Sequence, residues 1–527
     1  MSSRTPLAFV LRALRYRPTL LSLGVAGTFV TLVAAFTEYR NVFEFDPDES
    51  NNLIKTLLID RGFSLGREIW TDQPPLFTVL LGPWLHLSGW SVANARSLVL
   101  LFSGLLVFAL FDAMRLIGGR GHGFVAVSLL IVSASYVPLS VSVMIGLPSV
   151  ALLAASLWSL IRAVRTAPTR IKSRAGWQGV SGAALGLSLT TKLFTAFLAP
   201  PLALLVLGLA GWRLKQRERG AWLDVTCFFS ALVTTLLCGA WPLLRAGTWS
   251  GLIETHSSLR ESRGGAFDGL GTIGQFCSND WPLYALAVAG VVSGIVQRRH
   301  LLWLYTVWLA LGVASLADHY PVWPHHRLLL SVPASALAGF GVGAVVSAAR
   351  KLAQKRLSSR LMPFVAASAG LLLGAPATCV VMLHPDRWEQ AIHPPNWSSD
   401  SKDWAIYDKF AFYAADASMV AAARPIHAFR AGRPLPPQLA VTSWKRFRQG
   451  ELTSRDVYKQ FGRYHPQVVL LTSRWPAKVR RDVTRRMTKT HCRVFRWSHQ
   501  STELWVERNL AKRLEHMVPA RDAARCR

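Results

Sequence analysis

Apolar residues along this 527-residue chain fall in long unbroken runs, and the runs recur from near the N-terminus to about residue 383. The first, Leu20 to Thr37, carries no charge at all. A helix needs about 20 mostly apolar residues to cross the hydrocarbon layer of a bilayer. The pattern predicts spans near 17–37, 92–117, 122–140, 143–163, 177–191, 193–212, 221–243, 281–297, 301–317, 327–348 and 361–383, about eleven in all. The chain therefore reads as a polytopic α-helical membrane protein. From residue 384 onward no run approaches that length, and Arg, Pro and Trp become frequent. That change predicts two domains, a membrane domain over 1–383 and a small soluble α/β domain over 384–527.

The polar segments between the runs fix an orientation. Every second loop is basic: "GGRGH" at 118–122, "IRAVRTAPTRIKSR" at 161–174, "RLKQRERG" at 213–220, "QRRH" at 297–300 and "ARKLAQKRLSSR" at 349–360. Lys and Arg collect in cytoplasmic loops, so the N-terminus is expected in the cytoplasm and the C-terminal domain outside. A cleaved signal peptide fits less well, because the mature chain would then begin inside an acidic stretch. The longer loops all face outward: Glu38 to Asn94, a Gly-rich 244–280 that reads as a mobile lid, and "DHYPVWPHH" at 318–326.

Charge and cysteine content narrow the function classes. The formal net charge is +30, and residues 384–527 hold 27 Lys plus Arg against 13 Asp plus Glu. A basic outer domain suits acidic lipid headgroups or an acidic glycan, or is a plain solvated surface; nucleic acid is excluded as a partner on that face. The six cysteines have neither metal-ligand spacing nor the look of a disulfide framework.

The first outer loop is the informative one. In "EFDPDESNNLIKTLL", 44–58, Leu53, Leu57 and Leu58 recur at helical spacing and Gly62 follows the series, which predicts a short amphipathic helix on the membrane surface. Asp48 and Glu49 fall at its start. Acids there cap backbone N–H groups and complement the helix dipole, so a purely structural role is one reading. A catalytic role is the other.

"DPDESNNLIKTLLIDRGF" followed by "TDQPPLFTVLLGPWLHLSGW" resembles the first outer loop of the GT-C glycosyltransferases that use polyprenyl-phosphate sugars, the family of the protein O-mannosyltransferases and the lipid A aminoarabinose transferase. Its elements occur in order as Asp48-Glu49, Gly62 and Pro74-Pro75-Leu76. "HHRLLLSVPASALAGFG" at 325–341 is similar to the family's late span, and "FRAGRPLPPQLAVTSWKRFRQGELTSRDV" at 429–457 to the C-terminal domain of bacterial members.

The resemblance implies the GT-C fold in a bacterial inner membrane. It also implies an inverting transfer from a polyprenyl-phosphate-linked sugar to a hydroxyl acceptor of the cell envelope. Such a transfer needs a base for the acceptor proton and cations for the departing phosphate. Asp48 matches the family's base; Glu49 and Asp72 are the accompanying catalytic candidates. Gln73 stands where the aminoarabinose transferase type commonly has Lys, which removes one expected cation. Lys192, His325, His326 and Arg327, cations on the outer side of a membrane, are the candidates for holding the phosphate. No cofactor and no resident metal is expected, although paired carboxylates could admit a divalent ion. The competing classes are a transporter or flippase, disfavoured by the scarcity of intramembrane charges, and an inactive scaffold.

Overall fold

The computed structural model describes residues 18–248, 269–319, 321–356, 401–497 and 501–514. The expected span 361–383, the domain boundary at 383/384 and the centre of the supposed lid, 249–268, lie outside them.

Seven described helices are long and apolar enough to cross a membrane, or eight if one pair bent by 92° counts as a single span. In chain order the membrane domain runs α1 (Pro18–Phe36), α2 (Pro47–Asp60), α3 (Leu76–Ser88), α4 (Val92–Gly118), α5 (Arg120–Val132), α6 (Gly146–Arg165), α7 (Ile171–Thr191) and α8 (Ala199–Lys215). It continues through α9 (Ala221–Ala246), the bent pair α10 (Gly269–Asn279) and α11 (Trp281–Val296), then α12 (Trp303–Ala317) and α13 (Leu328–Arg356). α6 and α13 form the centre of the bundle. α1, α8, α9 and α12 are mostly unburied and expose large apolar side chains such as Leu23, Phe36, Leu204 and Trp241, as lipid-facing helices do. α11 and α13 touch backbone to backbone, since a Cβ at Gly290 would overlap the Leu337 carbonyl and one at Gly341 the Leu286 carbonyl.

Two predicted spans change shape. The expected 122–140 becomes α5, which stops at Val132, and a separate turn, Tyr136–Leu139, entered through Ser135 at φ 68°. The break frees the strip 140–145 to pack under α2. The expected 177–191 becomes a longer α7, because the basic stretch before it is absorbed into tertiary pairing. Arg174 is fully buried and meets Asp224 at 2.9 Å and Glu218 at 3.3 Å. α7 and the next helical segment then part at Lys192, whose backbone is extended (φ −156°) and whose carbonyl accepts from the Thr195 hydroxyl at 3.2 Å.

The C-terminal domain is α/β, as expected. α14 (Ser401–Ala414) leads to β1 (Val420–Ala422), α15 (Ile426–Arg430), α16 (Trp444–Arg448), α17 (Ser454–Tyr464) and β2 (Val468–Leu471), followed by α18 (Ala477–Met487), β3 (His491–Trp497), β4 (Thr502–Glu507) and α19 (Arg508–Arg513). The sheet order is β1-β2-β4-β3, parallel between β1 and β2 and antiparallel elsewhere. β1 and β2 are buried along their whole length, as a strand covered on both faces must be. Thr453, at the end of "GELT", caps α17 in a reciprocal box with Asp456. Contrary to the expectation from cysteine spacing, Cys492 on β3 is disulfide-bonded.

Candidate active site

α2 begins where the sequence places it, but a different residue caps it. The Asp48 backbone N–H donates to Asp46 Oδ1 at 2.9 Å, Pro47 takes the first helical position, and the helix ends at Arg61 and Gly62 (φ 89°). Asp46 is therefore the cap, and a capping role for Asp48 is ruled out. Asp48 is the second residue of α2, its carboxylate faces a cavity, and Asn51 Nδ2 lies 3.5 Å from its Oδ1.

Glu49 turns the other way, into the protein. Its Oε1 accepts from Arg96 Nε at 2.9 Å and from the Val143 N–H at 3.1 Å; its Oε2 accepts from Arg96 Nη2 at 2.7 Å and from the Phe45 N–H at 3.0 Å. Arg96 Nη1 in turn donates to the carbonyls of Tyr39 and Val42. This saturated ion pair ties α2 to α4, to the loop before it and to the strip after α5. It leaves Glu49 no lone pair for a substrate proton, so the structure assigns this predicted catalytic residue to the scaffold.

The cavity, of about 890 Å³, lies at one end of the bundle beneath the C-terminal domain. Asp48, Asp72, Lys192, His325 and His326 all line it, residues separated by up to 278 positions in sequence (326 − 48). Arg327 does not. The three-residue turns of the segment Pro324–Arg327 carry it round to the other side, where its guanidinium lies 4.7 Å from the Phe276 ring. His326 is held by its Nδ1, which accepts from the Trp323 N–H at 3.2 Å, and His325 packs edge-on against it at 4.6 Å. Lys192 places its ammonium 4.6 Å from the Phe194 ring.

Several lining residues escaped the sequence reading. Lys55 lies seven residues after Asp48, two turns along the same face of α2, and that spacing was a usable signal. Lys445, Arg448 and Arg474 come from the C-terminal domain, and no local pattern points to them. Lys445 approaches Asp72 at 3.7 Å. α16 is docked by Arg446, which is buried, donates to the Gln438 and Val441 carbonyls and lies 4.4 Å from the Trp70 ring. A second clamp holds the chain before the cap: Glu44 Oε2 accepts from Arg424 Nη2 at 2.8 Å and Arg474 Nη2 at 3.0 Å, and Arg430 donates to the Val42 and Phe43 carbonyls. The C-terminal domain thus fixes the segment that leads directly into Asp46 and Asp48.

Enclosure shifts the acids upward. Removal from water, with Asp48 alongside, pushes the Asp46 carboxyl up to about 7. The Asp48 carboxyl also rises, first through desolvation and then through Asp72, with Lys192 and Lys55 opposing. A carboxylate held closer to neutrality is the better base. One ligand atom each from Asp46, Asp48 and His325 lies within 4.8 Å of the others, so these three could converge on a small divalent ion.

Comparison with known proteins addresses the architecture. The chain aligns with the crystal structure of ArnT from Cupriavidus metallidurans bound to undecaprenyl phosphate at a TM-score of 0.62, covering 92% of this chain and 97% of that one at 13% identity. The chain has the GT-C fold. Its residues 72–238, beginning at Asp72, match the family model described as dolichyl-phosphate-mannose-protein mannosyltransferase. A second structure with the GT-C fold, the archaeal oligosaccharyltransferase AglB from Archaeoglobus fulgidus in complex with an inhibitory peptide and a dolichol-phosphate, aligns at a TM-score of 0.56 and 10% identity. That alignment covers 94% of this chain and 74% of AglB. No curated protein matches at the level of sequence.

Proposed function

We propose that this GT-C chain is an inverting membrane glycosyltransferase that moves a sugar from a polyprenyl-phosphate carrier to a hydroxyl acceptor on the extracytoplasmic face. The observation that carries the reading is the cavity beneath the C-terminal domain, where Asp48 and Asp72 face Lys192, His325 and His326. One carboxylate takes a proton, Lys192 supplies positive charge to a phosphate, His325 and His326, which burial and Lys192 keep uncharged, offer it hydrogen bonds, and neither task needs a covalent intermediate. The named ligands of the two aligned structures, undecaprenyl phosphate and dolichol-phosphate, are lipid phosphates of the kind such a cavity suits.

Asp48 is the base. It is accessible, shifted upward and free of any capping duty. The acceptor oxygen attacks the anomeric carbon as its proton passes to Asp48, and the bond from that carbon to the phosphate oxygen breaks with its electron pair remaining on the phosphate. Asp72, steadied by Lys445, orients the reacting groups. The disulfide at Cys492 supports an outer location for the C-terminal domain, because such bonds persist in oxidising compartments. The test is transfer of radiolabelled sugar from a polyprenyl phosphate to envelope extract by the purified chain. Absence of transfer from every lipid-phosphate sugar supplied overturns the reading.

A further inference from the structure

We propose that Lys55 is the second cation of the phosphate subsite and acts chiefly on the phosphate as it leaves, an inference that rests on the carrier-lipid reading above. Lys55 is 3% exposed, and what surface it has belongs to the cavity wall. Among the described residues, none places a hydrogen-bond acceptor or a carboxylate oxygen within bonding reach of its ammonium. Burying an ammonium without a bonded partner is costly, and burial accordingly lowers the Lys55 pKa while Asp72 and Asp48 act to keep it charged. Its neighbours on α2 show what a partnered side chain looks like in this helix: Glu49 is saturated, and Asn52 donates to the Val143 carbonyl at 3.0 Å. Lys55 has the burial of a structural residue and none of the bonds, which is the state of a group whose partner is a ligand.

Charge balance explains why a second lysine is needed. A sugar joined to a lipid phosphate is a phosphodiester with one negative charge. When the bond to the sugar breaks, the carrier becomes a monoester whose second pKa is about 6, so it approaches two negative charges at neutral pH. Lys192 alone matches the bound donor. Lys55 and Lys192 together match the leaving group, and a cation already in place where charge develops lowers the barrier without reorganisation. The acceptor proton goes to Asp48 and does not change this count on the phosphate.

Equilibrium binding to the purified full-length chain in detergent separates the outcomes, with undecaprenyl phosphate, its methyl phosphodiester and undecaprenol as probes. The native chain is expected to bind the monoester more tightly than the diester. Lys55→Met should lose roughly 10- to 100-fold for the monoester, the range of a hydrogen bond to a charged group, with a smaller loss for the diester and none for undecaprenol. Lys55→Arg should keep the preference for the monoester, and Lys55→Gln, a polar replacement that tolerates the site if Met does not, should lose it. A native preference that survives intact in folded Lys55→Met or Lys55→Gln overturns the role of Lys55 and leaves the glycosyltransferase reading standing. A native chain that binds neither phosphate better than undecaprenol overturns both.

Discussion

Arg96 closes a two-pronged hydrogen-bonded pair on Glu49, 2.9 Å to one oxygen and 2.7 Å to the other, with neither side chain reaching solvent. The pair separates two adjacent acids in "DPDES" into different roles. Glu49 anchors α2 to α4, and Asp48 is left facing the cavity.

Breaking the pair should unfold the protein more readily than it alters the chemistry. Glu49→Gln leaves Arg96 buried without its charge partner, a loss on the order of 3–5 kcal/mol. The melting temperature in detergent should fall clearly. Unchanged melting with abolished transfer would mean that Glu49 works in the reaction after all.

Asp48→Asn should fold normally, since the helix cap belongs to Asp46, and should slow transfer by roughly 10²–10⁴-fold. Asp46→Ala is the reciprocal case, expected to cost about 1 kcal/mol of stability through the lost cap. Kinetics and melting curves on both variants check the division of labour; a folded Asp48→Asn enzyme with most of its activity removes Asp48 as the base.

Acidification should act on both acids. With Asp48 as the proposed base, the rate of transfer is expected to fall on acidification with a midpoint above the ordinary carboxylate value near 4, because enclosure raises this carboxyl. For Asp46 the folded value of about 7 exceeds the reference 3.8, so the folded protein binds this proton more tightly. Its contribution to stability is full below about 4 and is lost as pH rises through about 7. Asp46→Asn keeps a capping oxygen and removes the titration, so the melting temperature should vary less between pH 5 and 8 than in the native chain. Identical slopes refute the shifted Asp46.

Transfer should survive chelation of divalent ions, since Lys55 and Lys192 line the cavity and are the groups proposed to neutralise the phosphate. Activity after exhaustive EDTA treatment tests this. Loss of activity restored by one metal would instead put an ion between Asp46, Asp48 and His325.

Sidedness is open to direct labelling. Ser64 and Ser173 are both exposed, in segments expected on opposite faces. A cysteine at Ser64 should react with a membrane-impermeant thiol reagent in intact cells, and one at Ser173 should not. The reverse pattern would invert the orientation.

Much of this architecture is written in local pattern. Apolar runs placed most of the described membrane helices within a few residues, because span length answers to bilayer thickness rather than to partners. The start and end of α2 were legible in the same way, from Asp48-Glu49 ahead of the leucine series and a closing glycine. Which acid caps was not, since Asp46 and Asp48 both stand near the start, and backbone geometry chooses between them.

By itself, then, the sequence determined most of the described spans, the α/β character of the C-terminal domain and the naming of Asp48, Glu49, Asp72, Lys192, His325, His326 and Arg327 as candidates. Tertiary structure decided which of those meet. It turned Glu49 onto Arg96 and Arg327 onto Phe276, hid Arg174 among acids, and brought Lys445, Arg448 and Arg474 across to the cavity. The reason is physical: a helix period states which residues share a face, whereas a buried charge takes its role from the partner that neutralises it. Such partners lie far away in the chain, as Glu49 and Arg96 do at 47 residues and Glu44 and Arg474 at 430.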